Sequence, residues 1–167
     1  MSDIPNVDNP GSTRFEGRLV FQQIVRDALA RAEREGWREL VLCDASFEDW
    51  PLGERAVAES LHAWSSGSRS ITLLAKNYDT VIRSHARFVT WRRTWSHIVD
   101  ARACPSVDPL ELPSAIWSPH WVMQRLDPVR CHGYVGNEPR RCTELHEWLH
   151  EWLARSSPSF AATTLGL

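Results

Sequence analysis

The sequence contains almost no lysine and no long apolar stretch. Lys76 is the only lysine among 167 residues, and the formal net charge is −2 at pH 7. This charge balance provides no overall attraction to nucleic acid or to anionic membranes. No apolar run approaches the roughly 18 residues that a membrane-spanning helix needs, and the amino terminus shows no signal-peptide pattern. We therefore expect a cytoplasmic protein without a membrane partner, and nucleic acid is disfavoured as a partner.

Several familiar catalytic and redox motifs are also absent. The sequence has no Walker-type or Gly-x-Gly-x-x-Gly phosphate loop, which argues against the common kinds of nucleotide binding, and it has no Gly-x-Ser-x-Gly nucleophile elbow. The four cysteines form no Cys-x-x-Cys pair. In a cytoplasmic protein they are expected to be reduced thiols. No cofactor is expected.

The remaining composition is sufficient for one folded domain. Hydrophobic residues make up 43% of the chain and include nine tryptophans, most of which are expected in the core. Residues 1–12 are rich in Pro, Gly, Asn and Asp and are predicted to form a flexible tail. A single α/β domain is predicted over 13–157, followed by a carboxyl-terminal tail over 158–167.

Apolar periodicity predicts four helical regions and five extended segments. Helices are expected from Leu19 to about Gly36, after Pro51 and Gly53, over about 79–95 and over about 139–155. The extended segments are expected at 39–44, 70–76, 97–102, 115–126 and 131–135. Helices that alternate with short apolar strands, followed by adjacent extended segments and a closing helix, predict a mixed β-sheet covered by helices.

The stretch from His120 to Asp127 carries the most specific motif. A histidine two residues before a lysine and seven before an aspartate, followed by a Gly/Asn turn, is the signature of the phospholipase D-like phosphodiesterases. Here His120-Trp-Val-Met-Gln-Arg-Leu-Asp127 keeps the spacing, with Gly133, Gly136 and Asn137 after it, but Val122 stands in place of the lysine. In element order, roughly 39–155 also resembles one half of a phospholipase D-like fold.

The resemblance implies roles for individual residues. His120 would be the nucleophile that attacks phosphorus, Asp127 its partner, and Asn137 a phosphate ligand. A second motif copy is absent, so activity would require a homodimer in which two His120 side chains face each other. Val122 cannot donate a hydrogen bond to phosphate, and the loss of such a group commonly costs on the order of 10² to 10³ in rate.

Two functions are therefore weighed for this motif. The favoured interpretation is a non-catalytic phospholipase D-like domain that works as a binding or regulatory module. The alternative is a dimeric phosphodiesterase or nuclease in which an arginine replaces the lysine. Arg125 is the nearest candidate, although its odd separation from His120 predicts the opposite strand face.

A second resemblance concerns a possible partner. The stretches Leu42-Cys-Asp-Ala-Ser-Phe-Glu-Asp-Trp-Pro-Leu-Gly53 and Phe88-Val-Thr-Trp-Arg-Arg-Thr-Trp95 are similar to an uncharacterised bacterial domain that is sometimes attached to acetyltransferase domains. This resemblance implies an acetyltransferase domain as a partner.

Asp44 and Lys76 follow the first two apolar strands. Ligands of open α/β sheets collect at the carboxyl ends of strands, so both residues are candidate ligand-binding residues. The alternative for Asp44 is helix capping and loop hydrogen bonding.

The last helix contains His146-Glu-Trp-Leu-His150, which matches the zinc-protease pattern HExxH. Zinc needs a third protein ligand, and no His, Cys, Asp or Glu follows Glu151. His146 and His150 are therefore weak metal candidates, and no metal is expected. The alternative is an ordinary amphipathic helix with two histidines on its polar flank.

A basic segment between Lys76 and Arg102 is interleaved with aromatic residues at 88, 91 and 95. Such a segment can hold phosphates while its rings stack on bases. The favoured interpretation places the rings in the core and the arginines on a solvated helix face.

Overall fold

The computed structural model describes residues 12–163. Within that range the chain forms five helices and eight strands. The helices are α1 (Arg18–Glu35), α2 (Arg55–Ser65), α3 (Asp79–Ser84), α4 (Ala86–Thr94) and α5 (Pro139–Ala154). The strands are β1 (Ser12–Phe15), β2 (Glu39–Cys43), β3 (Ser70–Ala75), β4 (Val99–Ala103), β5 (Ser114–Trp117), β6 (Val122–Asp127), β7 (His132–Gly136) and β8 (Ser157–Pro158).

All eight strands belong to one mixed sheet with the order β1-β7-β6-β5-β2-β3-β4-β8. Strands β2, β3 and β4 are parallel to one another. Strand β5 is antiparallel to β2, and β6 is antiparallel to β5, so β6 runs in the same direction as β2. The predicted α/β class with a mixed, helix-covered sheet is confirmed.

Alternating strand residues supply a hydrophobic core on each face of the sheet. Leu40 and Leu42 of β2 point into the larger core, which includes buried residues of α1, α2 and α4. Val41 and Cys43 point into the smaller core, which is covered by α5. Most tryptophans are core residues, as expected, and the buried ones are Trp37, Trp50, Trp64, Trp91, Trp117 and Trp121.

The single strand predicted over 115–126 is wrong, because the structure has two strands there. β5 and β6 are joined by a tight turn in which the Ser118 hydroxyl donates to the Trp121 carbonyl (2.7 Å) and accepts from the Trp121 amide (2.9 Å). Pro119 lies within this turn, where the missing amide hydrogen costs nothing. The apolar residues on both sides of the turn hide the boundary from periodicity alone.

The helix predicted over about 79–95 is interrupted at His85. This residue has φ −122° and ψ 59°, so the backbone leaves the helical region between α3 and α4. Its imidazole Nε2 is hydrogen-bonded to the carbonyl of Phe47 at 2.9 Å. The predicted strand 97–102 begins later, at Val99, after a short 3₁₀ turn over Ser96–Ile98.

Both ends of the described range pack on the domain. Strand β1 pairs with β7, and the rest of the expected amino-terminal tail lies outside the described residues. At the carboxyl end, β8 pairs with β4, and Phe160 is buried and stacks on Tyr78 with ring centroids 4.8 Å apart. Residues 158–160, which were assigned to a tail, therefore contact the core. Among residues 12–163, no helix combines the length and the apolar character needed to cross a membrane.

Candidate functional site

The two motif residues of the phospholipase D-like signature lie at opposite ends of β6. His120 precedes the first residue of the strand, and Asp127 is its last residue. An extended strand rises about 3.3 Å per residue, so seven residues separate the two by about 20 Å. His120 and Asp127 therefore belong to different edges of the sheet and do not form one catalytic pair.

Asn137 lies at the same edge as His120. Gly136, at the end of β7, pairs with Val122, at the start of β6. The turn before β6 and the residue after β7 are consequently neighbours along this edge. The edge also includes the residues before β2, because β2 and β6 run in the same direction. We call this the His120 edge.

Val122 itself is fully buried. Its exposed fraction is 0%, and it lies in the smaller core with Val41, Trp117 and Leu145. The position that holds the lysine in the phospholipase D-like motif therefore faces an apolar interior in this protein. An ammonium group there would lose its hydration without a partner, which is strongly unfavourable.

A pocket of about 490 Å³ opens beside His120. It is lined by Arg31, Glu35, Gly36, Trp37, Arg38, Pro119, His120 and Trp121. Glu35 accepts hydrogen bonds from Arg31 (2.7 Å) and from the Trp37 indole (3.2 Å). Burial acts to raise the pKa of Glu35, but these hydrogen bonds outweigh it and hold the pKa below its ordinary value. The carboxylate is thus ionised and paired.

Arg38 is the exposed cation of this pocket. Its side chain makes no hydrogen bond or ion pair with the described residues, whereas Arg31 is paired with Glu35. Because the one acid in the lining is already paired, Arg38 and His120 are free to meet an incoming anion. Arg38 was not singled out from the sequence, since its proximity to His120 depends on the strand order.

Asp44 and Lys76 lie at the opposite edge, and each side chain is engaged within the protein. The Asp44 carboxylate accepts from the amides of Ser46 (3.2 Å) and Phe47 (2.8 Å), which is the loop hydrogen bonding given as its alternative role. The Lys76 ammonium donates to the carbonyl of Val107 at 2.7 Å. Lys76 therefore does not replace the missing lysine of the motif.

Arg125 cannot replace that lysine either. Its side chain is 3% exposed and forms ion pairs with Asp44 (2.9 Å) and Asp49 (3.1 Å). It also donates to the Ser114 hydroxyl at 3.1 Å, and its guanidinium lies 4.3 Å from the centre of the Phe21 ring. These contacts anchor Arg125 on the face and at the end of β6 that are remote from His120.

Asp127 stabilises the turn after β6. One carboxylate oxygen accepts from the amides of Val129 (2.9 Å) and Arg130 (3.2 Å), and the other lies 3.6 Å from His132 Nε2. The amide hydrogen bonds, chiefly that of Arg130, and the nearby His132 lower the pKa of Asp127. The carboxylate is thus a turn-forming acceptor.

His146 and His150 are exposed on α5, with ring centroids 6.2 Å apart. The His146 ring packs 4.4 Å from that of Trp117. In the part of the chain that the structure describes, no group of three or more His, Cys, Asp and Glu side chains is arranged to hold a metal ion. The absence of zinc here stays a prediction.

Two of the three aromatic rings of the basic segment point into the core. Phe88 and Trp91 are fully buried, and the indole of Trp95 donates to His62 Nδ1 at 3.0 Å. The first two rings are therefore inaccessible to bases, whereas Trp95 is partly exposed.

Comparisons with known proteins identify the fold. No family model matches the sequence, and no curated protein matches it. Three solved structures do resemble it: the archaeal chromatin protein TrmBL2, described with a novel mode of DNA binding (TM-score 0.64, 12% identity), NucT from Helicobacter pylori (0.63, 7%), and Nuc from Salmonella typhimurium, a phospholipase D family member (0.57, 8%). The chain has a phospholipase D-like fold.

The alignments differ in how much of each known structure they cover. They include 89%, 88% and 90% of this chain, respectively. They cover 98% of the NucT and Nuc chains but only 54% of TrmBL2, so the chain spans about half of that protein. At identities this low, the similarity establishes the fold alone.

Proposed function

We propose that the chain is a phospholipase D-like domain that does not hydrolyse phosphodiesters and works instead as a binding or regulatory module. The observation that carries the proposal is the buried Val122. Active sites of this type need a cation to hold the phosphate oxygens, and Val122 occupies its position in the motif. Neither Lys76 nor Arg125 is available to substitute, because both are engaged at the opposite edge of the sheet.

The His120 edge retains features that suit an anionic ligand. Arg38 and His120 line one pocket, and the single acid there is paired with Arg31. A guanidinium forms strong, directional hydrogen bonds with phosphate oxygens. We infer that this edge binds a phosphate group without cleaving its ester, with Asn137 contributing from the end of β7.

A dimeric phosphodiesterase that uses His120 is the second candidate. It is favoured by the exposure of His120 at the start of β6, which would allow two copies to meet across a symmetric contact. In that case the cation on the phosphate would have to be Arg38, since Arg125 is buried.

We also propose that the protein is cytoplasmic. Its proposed partners are those that the resemblance implies, namely a second copy of this chain and an acetyltransferase domain. TrmBL2 is described as binding DNA, and this keeps nucleic acid among the ligands to be tested. Co-purification of the tagged chain with an untagged second copy tests the homodimer directly. The same purification tests the acetyltransferase partner.

The deciding experiments measure hydrolysis and binding separately, with His120→Ala in both. Bis(4-nitrophenyl) phosphate is offered to the wild type, to His120→Ala and to His150→Ala, the last being a control at an exposed histidine. We expect no turnover above that of His120→Ala. Turnover that is abolished by His120→Ala and kept by His150→Ala would instead establish the phosphodiesterase.

Binding is followed by titration with inorganic phosphate. We expect Arg38→Ala and His120→Ala each to weaken it about tenfold, as for loss of one charge-assisted hydrogen bond. Arg83→Ala, at an exposed arginine on α3, should leave it unchanged. Phosphate affinity that is equal in all four proteins would remove the binding role from this edge.

A further inference from the structure

A second groove lies at the end of β7 that is remote from His120. Its volume is about 760 Å³, and it is lined by Arg14, Phe15, Glu16, Val20, Arg130, His132 and Gly133. Phe15 of β1 pairs with Gly133 of β7, whereas Gly136, at the other end of β7, pairs with Val122. The groove is thus formed by β1, the start of α1 and the β6–β7 turn. It shares no lining residue with the pocket beside His120.

Cationic side chains dominate the lining of this groove. Arg14 and Arg130 are exposed, and neither guanidinium makes a hydrogen bond or ion pair with the described residues. His132 is half-buried beside them, and Glu16 is the only acid in the lining. Arg14 and Arg130 thus place two arginines without an ion-pair partner on one concave surface.

The turn that holds Arg130 and His132 is well anchored. Asp127 accepts from the amides of Val129 and Arg130 and lies 3.6 Å from His132. The carbonyl of Cys131 accepts from the amide of Gly17 at 3.1 Å, which joins the turn to the start of α1. The Arg130 and His132 side chains thus extend from a fixed backbone, which reduces the entropy that a ligand would have to remove.

Gly133 brings the strands unusually close together at the floor of the groove. A Cβ atom at this position would lie 1.9 Å from the carbonyl oxygen of Gln124, so no larger residue fits without moving the backbone. Phe15 and Val20 add an apolar wall next to the cations. The groove therefore combines a cationic side with an apolar side, within the size range of ligand sites.

We propose that this groove binds a ligand that carries two adjacent phosphate groups, with Arg14 and Arg130 each contacting phosphate oxygens. Two guanidiniums, one from β1 and one from the β6–β7 turn, suit a ligand with two neighbouring anionic groups better than a ligand with one. The apolar wall accommodates the organic part of such a ligand. This site is independent of the proposed role of the His120 edge.

The test is calorimetric titration of the whole chain with pyrophosphate. We expect Arg14→Ala and Arg130→Ala each to weaken this binding about tenfold or more, and the double variant to keep only the weaker binding expected at the His120 edge. Arg130→Lys should recover only part of the affinity, because an ammonium cannot bind two oxygens in the planar geometry of a guanidinium. Inorganic phosphate should bind at least tenfold more weakly than pyrophosphate, since it can engage only one phosphate position.

Matched variants separate this site from the first. Arg83→Ala and His150→Ala, which change exposed residues outside both sites, should bind pyrophosphate as the wild type does. Arg14 and Arg130 are exposed, so their variants should keep the wild-type melting temperature. Absence of pyrophosphate binding, or binding that Arg14→Ala and Arg130→Ala leave unchanged, would overturn the proposal.

A competition experiment then identifies the source of the phosphates. A short single-stranded oligonucleotide that displaces pyrophosphate would assign the groove to a nucleic-acid backbone. An oligonucleotide that does not displace pyrophosphate would assign it to a small diphosphate ester.

Discussion

Arg125 of β6 donates from Nη2 to Asp44 Oδ1 at 2.9 Å, and the two side chains are 3% and 7% exposed. This pair connects the end of β6 to the end of β2 across the intervening β5. Asp49 and the Ser114 hydroxyl accept further hydrogen bonds from the same guanidinium. A buried charge pair of this kind adds little net stability over apolar residues of the same shape, but breaking it by removing one partner is costly.

Arg125→Met should therefore destabilise the protein by about 3–5 kcal/mol, because it leaves the Asp44 carboxylate buried without its partner. Urea unfolding followed by circular dichroism gives the free energy of unfolding directly. Adding Asp44→Asn to Arg125→Met should restore part of the loss, since the remaining group is neutral. As a control, Arg140→Met removes an arginine whose side chain is 88% exposed and should change stability by no more than about 0.5 kcal/mol. A loss below about 1 kcal/mol for Arg125→Met would contradict this account.

Val122→Lys should fail to create a phosphodiesterase and should destabilise the fold by about 3 kcal/mol or more. The side chain at this position is 0% exposed and packs against Trp117 and Leu145 in the core beneath α5. Inserting a longer, charged chain adds overpacking to the cost of burying an ammonium. The matched substitution Val122→Ile should cost less than about 1.5 kcal/mol. A Val122→Lys protein as stable as the wild type, with new hydrolytic activity, would mean that the position can reach the surface.

The sequence pattern predicted most of the architecture because the core residues follow regular periods. The helix expected from Leu19 to about Gly36 is observed at Arg18–Glu35, and the one expected over 139–155 is observed at Pro139–Ala154. The hairpin between β5 and β6 was missed because Trp117 and Trp121 are both buried. The apolar pattern therefore continues through a turn that hydrogen bonds of Ser118 create.

The candidate site depends on strand order, which periodicity does not contain. Arg38 lies near His120 only because β2 and β6 run in the same direction with β5 between them. Arg14 and Arg130 come together only because β1 pairs with the end of β7. The separation of His120 from Asp127, in contrast, follows from strand geometry once both are assigned to one strand.

Asp127→Asn should reduce stability in a pH-dependent manner. The pKa of Asp127 is lowered chiefly by the hydrogen bond from the Arg130 amide, with smaller contributions from the Val129 amide and His132. A lowered carboxyl pKa contributes stability that is fully present above the unfolded value, about 3.9. That contribution is lost as the pH falls through the folded pKa. The difference in melting temperature between wild type and Asp127→Asn should therefore be larger at pH 5 than at pH 3 and should shrink as the pH falls below about 4. An unchanged difference at pH 3 would show that the carboxylate charge plays no part.

The histidine pair on α5 should not hold zinc. His146 and His150 have ring centroids 6.2 Å apart, and His146 packs on Trp117. No group of three or more potential ligands that includes them occurs among residues 12–163, whereas a catalytic zinc needs three protein ligands and an open position.

Elemental analysis of protein purified without a histidine tag should give far less than one zinc per chain. Adding a chelator should leave the melting temperature unchanged, both for the wild type and for His146→Ala/His150→Ala. Near-stoichiometric zinc that is lost in this double variant would contradict the prediction. Even then, only loss of hydrolytic activity in Glu147→Gln would show that the site is catalytic, because that glutamate would activate water in an HExxH site.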